Sequence, residues 1–76
     1  MTRKISLVTI RDIKDFVNTA RDYGDDIIVR TELYAVPACS LMGVMSLNLN
    51  EPIKISFADE FEDKIDKDFA EWFVKD

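Results

Sequence analysis

The chain has 76 residues, of which 47% are apolar and 33% charged, and its formal net charge is −5. This length allows one domain, residues 1–76, because two smaller cores would not be stable, and the composition excludes a disordered chain. The negative charge argues against nucleic acid as a partner, since nucleic-acid phosphates need clustered Lys and Arg. Cys39 is the single cysteine, which excludes an internal disulfide and a multi-cysteine metal site and favours a reducing cytoplasm.

Hydropathy and charge patterning give further expectations. The longest uncharged stretch, residues 33–50, contains Pro37 and several polar residues, so we expect no membrane span. The first residues lack the basic-then-apolar layout of a signal peptide, and we expect a cytoplasmic protein. Residues 58–68 are strongly acidic. We interpret them as a solvated helix face and not as a metal site.

The N-terminal third of the chain shows a strand pattern followed by a helix pattern. Residues 4–9 (K-I-S-L-V-T) alternate and are rich in β-branched side chains, which predicts a first strand. Residues 10–23 then predict a helix, which Gly24 ends. The apolar residues at helical spacing are Ile10, Ile13, Phe16, Val17, Ala20 and Tyr23.

The middle of the chain predicts two short strands and a short helix. Residues 27–30 and 34–36 read as strands, and Pro37 places the second of them at a sheet edge or ends it, because proline has no N–H to donate. Ser40 is suited to be the N-cap of a helix over residues 41–47.

The C-terminal part predicts a turn over residues 50–52, a fourth strand over residues 53–57 and a last helix that begins near Asp59. The apolar stripe of that helix is Phe61, Ile65, Phe69, Trp72 and Phe73. The order β-α-β-β-α-β-α predicts an α+β fold, with an antiparallel sheet and helices on one face. The pattern alone leaves several such folds open, including ferredoxin-like relatives.

Two blocks of the chain resemble the HPr family, the small phosphocarrier proteins of the bacterial sugar phosphotransferase system. Residues 17–23 (V-N-T-A-R-D-Y) resemble the end of its first helix, and residues 40–47 (S-L-M-G-V-M-S-L) resemble its regulatory-serine helix. The spacing between the blocks also matches, and residues 53–57 and 60–74 resemble its last strand and last helix. The resemblance implies an HPr-like open-faced β-sandwich (βαββαβα), a four-stranded antiparallel sheet with three helices on one face.

The chain departs from the family at the phosphocarrier histidine, because it contains no histidine. In the family this residue stands at the start of the first helix, followed by any residue and then Arg-Pro. Either Thr9 and Arg11 occupy the histidine and arginine registers, or the histidine loop is deleted. We favour deletion, because a strand over residues 4–9 leaves no room for the loop. A threonine hydroxyl without a base is a poor nucleophile, so we expect Thr9 to be a strand end or a helix cap and the chain not to be an enzyme.

The resemblance implies a regulatory role for Ser40, which an ATP-dependent kinase phosphorylates in the family. A phosphate there would lie at a helix N-terminus, which favours an anion, and the alternative is a plain N-cap. The short helix has more apolar side chains than it can bury, so some of them should form a patch for partner proteins. The expected partner-binding residues are Arg11, Leu41, Met42, Met45 and Leu47.

These expectations support two functional hypotheses. The first is a non-catalytic regulatory protein, similar to the catabolite-repression HPr paralogue, which binds a transcription regulator or metabolic enzyme after HPr kinase acts on Ser40. The second is a degenerate component that occupies carrier sites on the phosphotransferase enzymes without transferring phosphate. A third, weaker hypothesis keeps the fold but assigns an unrelated partner. All three expect protein partners, no cofactor, no metal, no nucleic acid and no membrane.

Overall fold

The computed structural model describes residues 1–50 and 53–74. Its elements are strand β1 (Thr2–Ile5), helix α1 (Ile10–Ala20), strands β2 (Ile28–Arg30) and β3 (Ala35–Pro37), helix α2 (Leu41–Met45), strand β4 (Ile53–Ser56) and helix α3 (Glu62–Asp68). The strands form one antiparallel sheet in the order β1-β4-β2-β3. The structure confirms the predicted α+β class, with a four-stranded antiparallel sheet and three helices. It also confirms Pro37 at a sheet edge, since β3 is the last strand of the sheet.

The two faces of the sheet differ in burial. Ile5 pairs with Ile53 in the register, and Val29 pairs with Ile55, and all four side chains are buried together with apolar residues from the helices. The alternate positions of the same strands are largely exposed. Because successive side chains of a strand point to opposite faces, the helices cover one face and the other face is open.

An aromatic cluster fills the centre of the core. Phe16 of α1 meets Phe69 edge-on, with ring centroids 5.4 Å apart, and meets Trp72 in the same way at 5.7 Å. Phe69 and Trp72 are also neighbours at 5.7 Å. These geometries add to the stabilisation that burial of the large rings provides. The cluster therefore joins the first helix to the C-terminal segment.

The first strand lies earlier in the chain than the predicted residues 4–9. After Ile5 the chain leaves β4, and the Ser6 N–H donates to the Trp72 carbonyl oxygen at 2.8 Å. The N–H groups of Val8 and Thr9 both donate to the carboxylate of Asp12, each at 3.1 Å. The alternation in residues 6–9 therefore belongs to a loop, because the aspartate takes the donors that a longer strand would need.

The first helix ends in a 3-10 segment, Arg21–Asp26, that contains Gly24 at φ 57°. A side chain is strained at this positive φ, so glycine suits the position where the helical path breaks. The predicted stop at Gly24 is confirmed, although regular α-helix already ends at Ala20. Ile10, which the helical stripe included, is 61% exposed and does not belong to the core.

The predicted last helix is interrupted. A 3-10 turn, Asp59–Phe61, precedes α3, and a second one, Ala70–Trp72, follows it. Phe69 departs from helical geometry at φ −110° and ψ 8°. This change of direction seats its ring and that of Trp72 against Phe16, so packing of the aromatic cluster overrides the helical period.

Two smaller observations complete the fold. Helix α2 ends at Met45 and is shorter than the predicted residues 41–47. The predicted turn over residues 50–52 lies in part outside the described residues. Within residues 1–50 and 53–74, no helix has the length and apolar character needed to cross a membrane.

A part-buried hydrogen bond ties the 3-10 segment that follows α1 to α3 and gives the first testable prediction. The Tyr23 hydroxyl donates to the Asp68 carboxylate at 2.6 Å, and burial together with this bond raises the Tyr23 pKa above its usual value. Replacement of Tyr23 by Phe should lower the free energy of unfolding by about 1 kcal/mol, the cost of a lost hydrogen bond of this kind. Urea unfolding at neutral pH measures the difference.

The raised pKa of Tyr23 also determines how its contribution to the free energy of unfolding changes with pH. The unfolded tyrosine loses its proton near its ordinary pKa of about 10, while the folded tyrosine keeps it, so the stabilisation is complete below that pH and is lost as pH rises further. The stability gap between wild type and Tyr23→Phe should shrink above this pH. Tyr34→Phe is the matched control, because Tyr34 is exposed. An equal effect of both substitutions would contradict the assignment.

Candidate functional site

Ser40 is the N-cap of helix α2. Its Oγ accepts a hydrogen bond from the Gly43 N–H at 3.1 Å, and its side chain is half-buried. A Cβ on Gly43 would lie 3.0 Å from the Ser40 Oγ and 3.3 Å from the Val36 Cβ. Glycine at this position therefore allows the cap, the helix and strand β3 to approach one another closely. The sequence prediction that Ser40 caps this helix is confirmed.

Helix α2 divides its apolar side chains between the core and the surface. Val44 is fully buried, and Leu47 just beyond the helix is 8% exposed, so both lie in the core. Leu41 is partly buried and packs against the same core. Met42 is 80% exposed and Met45 is 47% exposed. The accessible apolar patch of α2 therefore consists of Met42 and Met45, and the Leu47 side chain does not contribute to it.

Arg11 lies on the first turn of α1 with an exposed side chain. Its Nε is 3.9 Å from the Asp15 carboxylate one turn along the same helix, a type of surface pair that contributes little to stability. Helices α1 and α2 contact each other. Among the described residues, no hydrogen bond or ion pair joins Arg11 to α2.

Thr9 is the N-cap of helix α1 and forms a reciprocal capping box with Asp12. Its hydroxyl accepts from the Asp12 N–H at 3.0 Å, and the Asp12 carboxylate accepts from the Thr9 N–H at 3.1 Å. The bonds from the Thr9 and Val8 N–H groups lower the Asp12 pKa. Thr9 thus has the helix-cap role that the sequence favoured over a phosphate carrier.

The position of Thr9 also bears on the departure from the HPr pattern. The preference for a deleted histidine loop depended on a strand over residues 4–9, and that strand ends at Ile5. The argument for deletion is therefore wrong. Thr9 stands at the start of the first helix, and the replacement and deletion interpretations stay open.

Sequence reasoning missed one grouping of charged side chains. Lys4, Lys54 and Arg30 lie at one level on the open face of the sheet. All three residues lie inside predicted strands, but only the pairing register of the strands brings them together. The signal in the sequence is the absence of Asp and Glu from all four strands.

Comparisons of the chain with protein-family models, with curated proteins and with solved structures found no match. In the part of the chain that the structure describes, no three His, Cys, Asp or Glu side chains are placed to hold a metal ion.

The capping box gives a prediction about Thr9. Replacement of Thr9 by Ala should lower the free energy of unfolding by about 1 kcal/mol, because it leaves a helix N–H without its acceptor. Thr9→Ser keeps the acceptor and should restore most of the stability. Urea unfolding of the three proteins measures both differences, and equal losses in Ala and Ser would show that the hydroxyl is not the cap.

The lowered Asp12 pKa predicts that the stability contributed by the Thr9–Asp12 capping box decreases at acid pH. The folded carboxyl stays ionised below its unfolded pKa of about 4, so its stabilisation is complete above that pH and is lost as pH falls through the folded value. The stability difference between wild type and Asp12→Asn should shrink over this range. Asp15→Asn, on the next turn of α1, is the control for a general loss of negative charge. Parallel curves for both variants would contradict the prediction.

Proposed function

We propose that this protein is a non-catalytic, HPr-like regulatory protein related to the sugar phosphotransferase system, which acts through protein contacts at α2 and is controlled by phosphorylation of Ser40. The observation that carries the proposal is that α2 presents Met42 and Met45 outward beside its serine cap, in a sequence that resembles the family's regulatory-serine helix. The antiparallel sheet and three helices are compatible with an HPr-like open-faced sandwich.

The anchoring of α2 supports a role in binding. Val44 and Leu47 fix the short helix to the core, while Met42 and Met45 project from it. Methionine side chains are flexible and polarizable, which suits contacts with a protein surface. A partner would therefore contact the flexible side chains of Met42 and Met45 on a helix that is fixed to the core.

The charge distribution around Ser40 supports a phosphate switch. Residues 33–50 contain no charged side chain, so the surface of α2 is electrically neutral apart from its backbone. A phosphate would add about −1.5 to −2 charges there, near the N–H groups and the positive end of the helix dipole. No acidic side chain of residues 33–50 would repel this phosphate. A partner with Arg side chains could recognise it by bidentate hydrogen bonds.

The start of α1 supports the absence of phosphoryl transfer. The chain has no histidine, and the Thr9 hydroxyl is held as an acceptor by the Asp12 N–H. Hydroxyl nucleophiles need a positioned base, and the Asp12 carboxylate is occupied by two backbone N–H groups. A stable radiolabel transferred from phosphoenolpyruvate to this chain would contradict this part of the proposal.

The first experiment is intact-mass analysis after incubation with ATP and an HPr kinase. Wild type should gain one phosphate, and Ser40→Asn should gain none while keeping an N-cap acceptor and therefore its fold. Ser46→Ala is the matched control, because Ser46 is a second serine on the same helix, at its C-terminal end, where its hydroxyl donates to the Gly43 carbonyl. Equal phosphorylation of wild type and Ser40→Asn, or no phosphorylation of either, would contradict the proposed control by phosphorylation of Ser40.

The second experiment asks which partner the phosphorylated protein binds. Binding to a catabolite-control transcription regulator only after phosphorylation supports the proposal. Binding to the phosphoenolpyruvate-dependent enzyme regardless of phosphorylation would support the degenerate-component hypothesis instead. Failure of both would support an unrelated partner.

The role of the apolar patch can be tested in the same binding assay. Met42→Gln should weaken partner binding by about tenfold, the usual effect of losing a central apolar contact. Leu33→Gln is the control, because Leu33 is equally exposed but lies outside α2. Both variants should unfold at the wild-type urea concentration, since neither side chain is buried.

A further inference from the structure

The open face of the sheet carries a row of three cationic side chains. Lys4 of β1 pairs with Lys54 of β4 in the register, and Lys54 pairs with Arg30 of β2. All three side chains are exposed. Neighbouring strands are about 4.8 Å apart, so the row spans about 10 Å across the sheet. The chain as a whole is acidic, so a local cluster of three cationic side chains is unusual for it.

These cations contrast with Arg3, their neighbour on the covered face. Arg3 is paired with Glu62 at 2.7 Å and with Asp66 at 3.0 Å, both on α3. Among residues 1–50 and 53–74, no ion pair involves Lys4, Lys54 or Arg30. Like charges on directly opposed strand positions destabilise a sheet. The row therefore has an energetic cost that a bound anion would remove.

A shallow cavity of about 330 Å³ lies beside this row. It is lined by Thr2, Arg3, Lys4, Lys54, Phe73 and Val74. The C-terminal segment forms its outer wall, because the Val74 N–H donates to the Lys4 carbonyl oxygen at 3.1 Å. Its volume is at the lower end of the range for small-molecule sites. Two lysines thus border a concave surface and not a flat one.

Hydroxyl groups lie in the adjacent row of the same face. Ser56 pairs with Thr2 in the register, and the Arg30 Nε donates to the Ser56 Oγ at 3.0 Å. This hydrogen bond holds the guanidinium group toward the hydroxyl row. The face therefore combines three cations with two hydroxyl groups, the groups that bind phosphate oxygens.

We propose that this face binds a small ligand with two or more adjacent phosphate groups. Lys4 and Lys54 would bind one phosphate at the cavity, and Lys54 and Arg30 the next. A row of about 10 Å is longer than a single phosphate needs. The negative charge of the whole chain disfavours a large polyanion through long-range repulsion. The strands of this face carry no aromatic side chain, and the half-buried Phe73 at the cavity is a single ring, whereas a nucleic-acid strand needs several rings for successive bases to stack on.

The test is a titration of the full chain with inorganic tripolyphosphate at low ionic strength, followed by NMR and calorimetry. The backbone amides of β1, β4 and β2 should shift in a saturable manner. Lys54→Gln removes the central cation and should weaken binding by about tenfold. Lys14→Gln makes the same change in net charge on the exposed face of α1 and should weaken it by less than about twofold.

Several outcomes would overturn the proposal. Equal weakening by Lys54→Gln and Lys14→Gln would show a general charge effect, and the absence of saturable shifts would show no site. Tighter binding of an oligoglutamate peptide or a single-stranded oligonucleotide to the same amides would show that the ligand class is wrong. Lys54→Gln should keep the wild-type melting temperature or raise it, which separates lost binding from lost folding.

This inference is independent of the proposed phosphorylation of Ser40. Helix α2 lies on the covered side of the sheet, since Val44 belongs to the common core, whereas the cationic row lies on the open side. Ser40→Asn should therefore bind tripolyphosphate as wild type does. A loss of binding in Ser40→Asn would place the anion site at α2 and contradict the proposal.

Discussion

The contact of Phe16 with Phe69 and Trp72 is the interaction on which the rest of the structure depends. It joins α1 to the C-terminal segment, and the same segment closes the edge of β1 through the bond from the Ser6 N–H to the Trp72 carbonyl. In a chain of this size one core is all that can form. Because that core lies on one side of the sheet, the open face must be polar, and a short helix such as α2 must leave some apolar side chains uncovered.

The sequence was informative where local chemistry and core packing agree. Gly24 ends the first helical segment because its φ of 57° suits a residue without Cβ. Ser40 caps α2 because its hydroxyl reaches the Gly43 N–H. In both cases one side chain, or its absence, determines the local backbone, and the pattern can be read without knowledge of the fold.

The sequence was misleading where a contact from elsewhere in the chain competes with the local pattern. Residues 6–9 alternate like a strand, but Asp12 binds the N–H groups of Val8 and Thr9. The stripe from Asp59 onward has a helical period, but the aromatic cluster turns the chain at Phe69. The cationic row was missed, because its assembly depends on the pairing order β1-β4-β2, and β4 is distant from both neighbours in sequence.

The distribution of charge separates the surfaces that the two proposals use. Glu62 and Asp66 of α3 pair with Arg3 on their own side of the sheet. The segment that contains α2, residues 33–50, carries no charged side chain, and the open face carries cations without acidic residues in its strands. Ionic interactions between exposed groups are largely screened beyond about 8 Å at physiological salt. A phosphate on Ser40 would therefore alter the neutral surface strongly and the cationic face only weakly. Phosphorylation at α2, as proposed, would thus leave the proposed anion site on the opposite side of the sheet largely undisturbed.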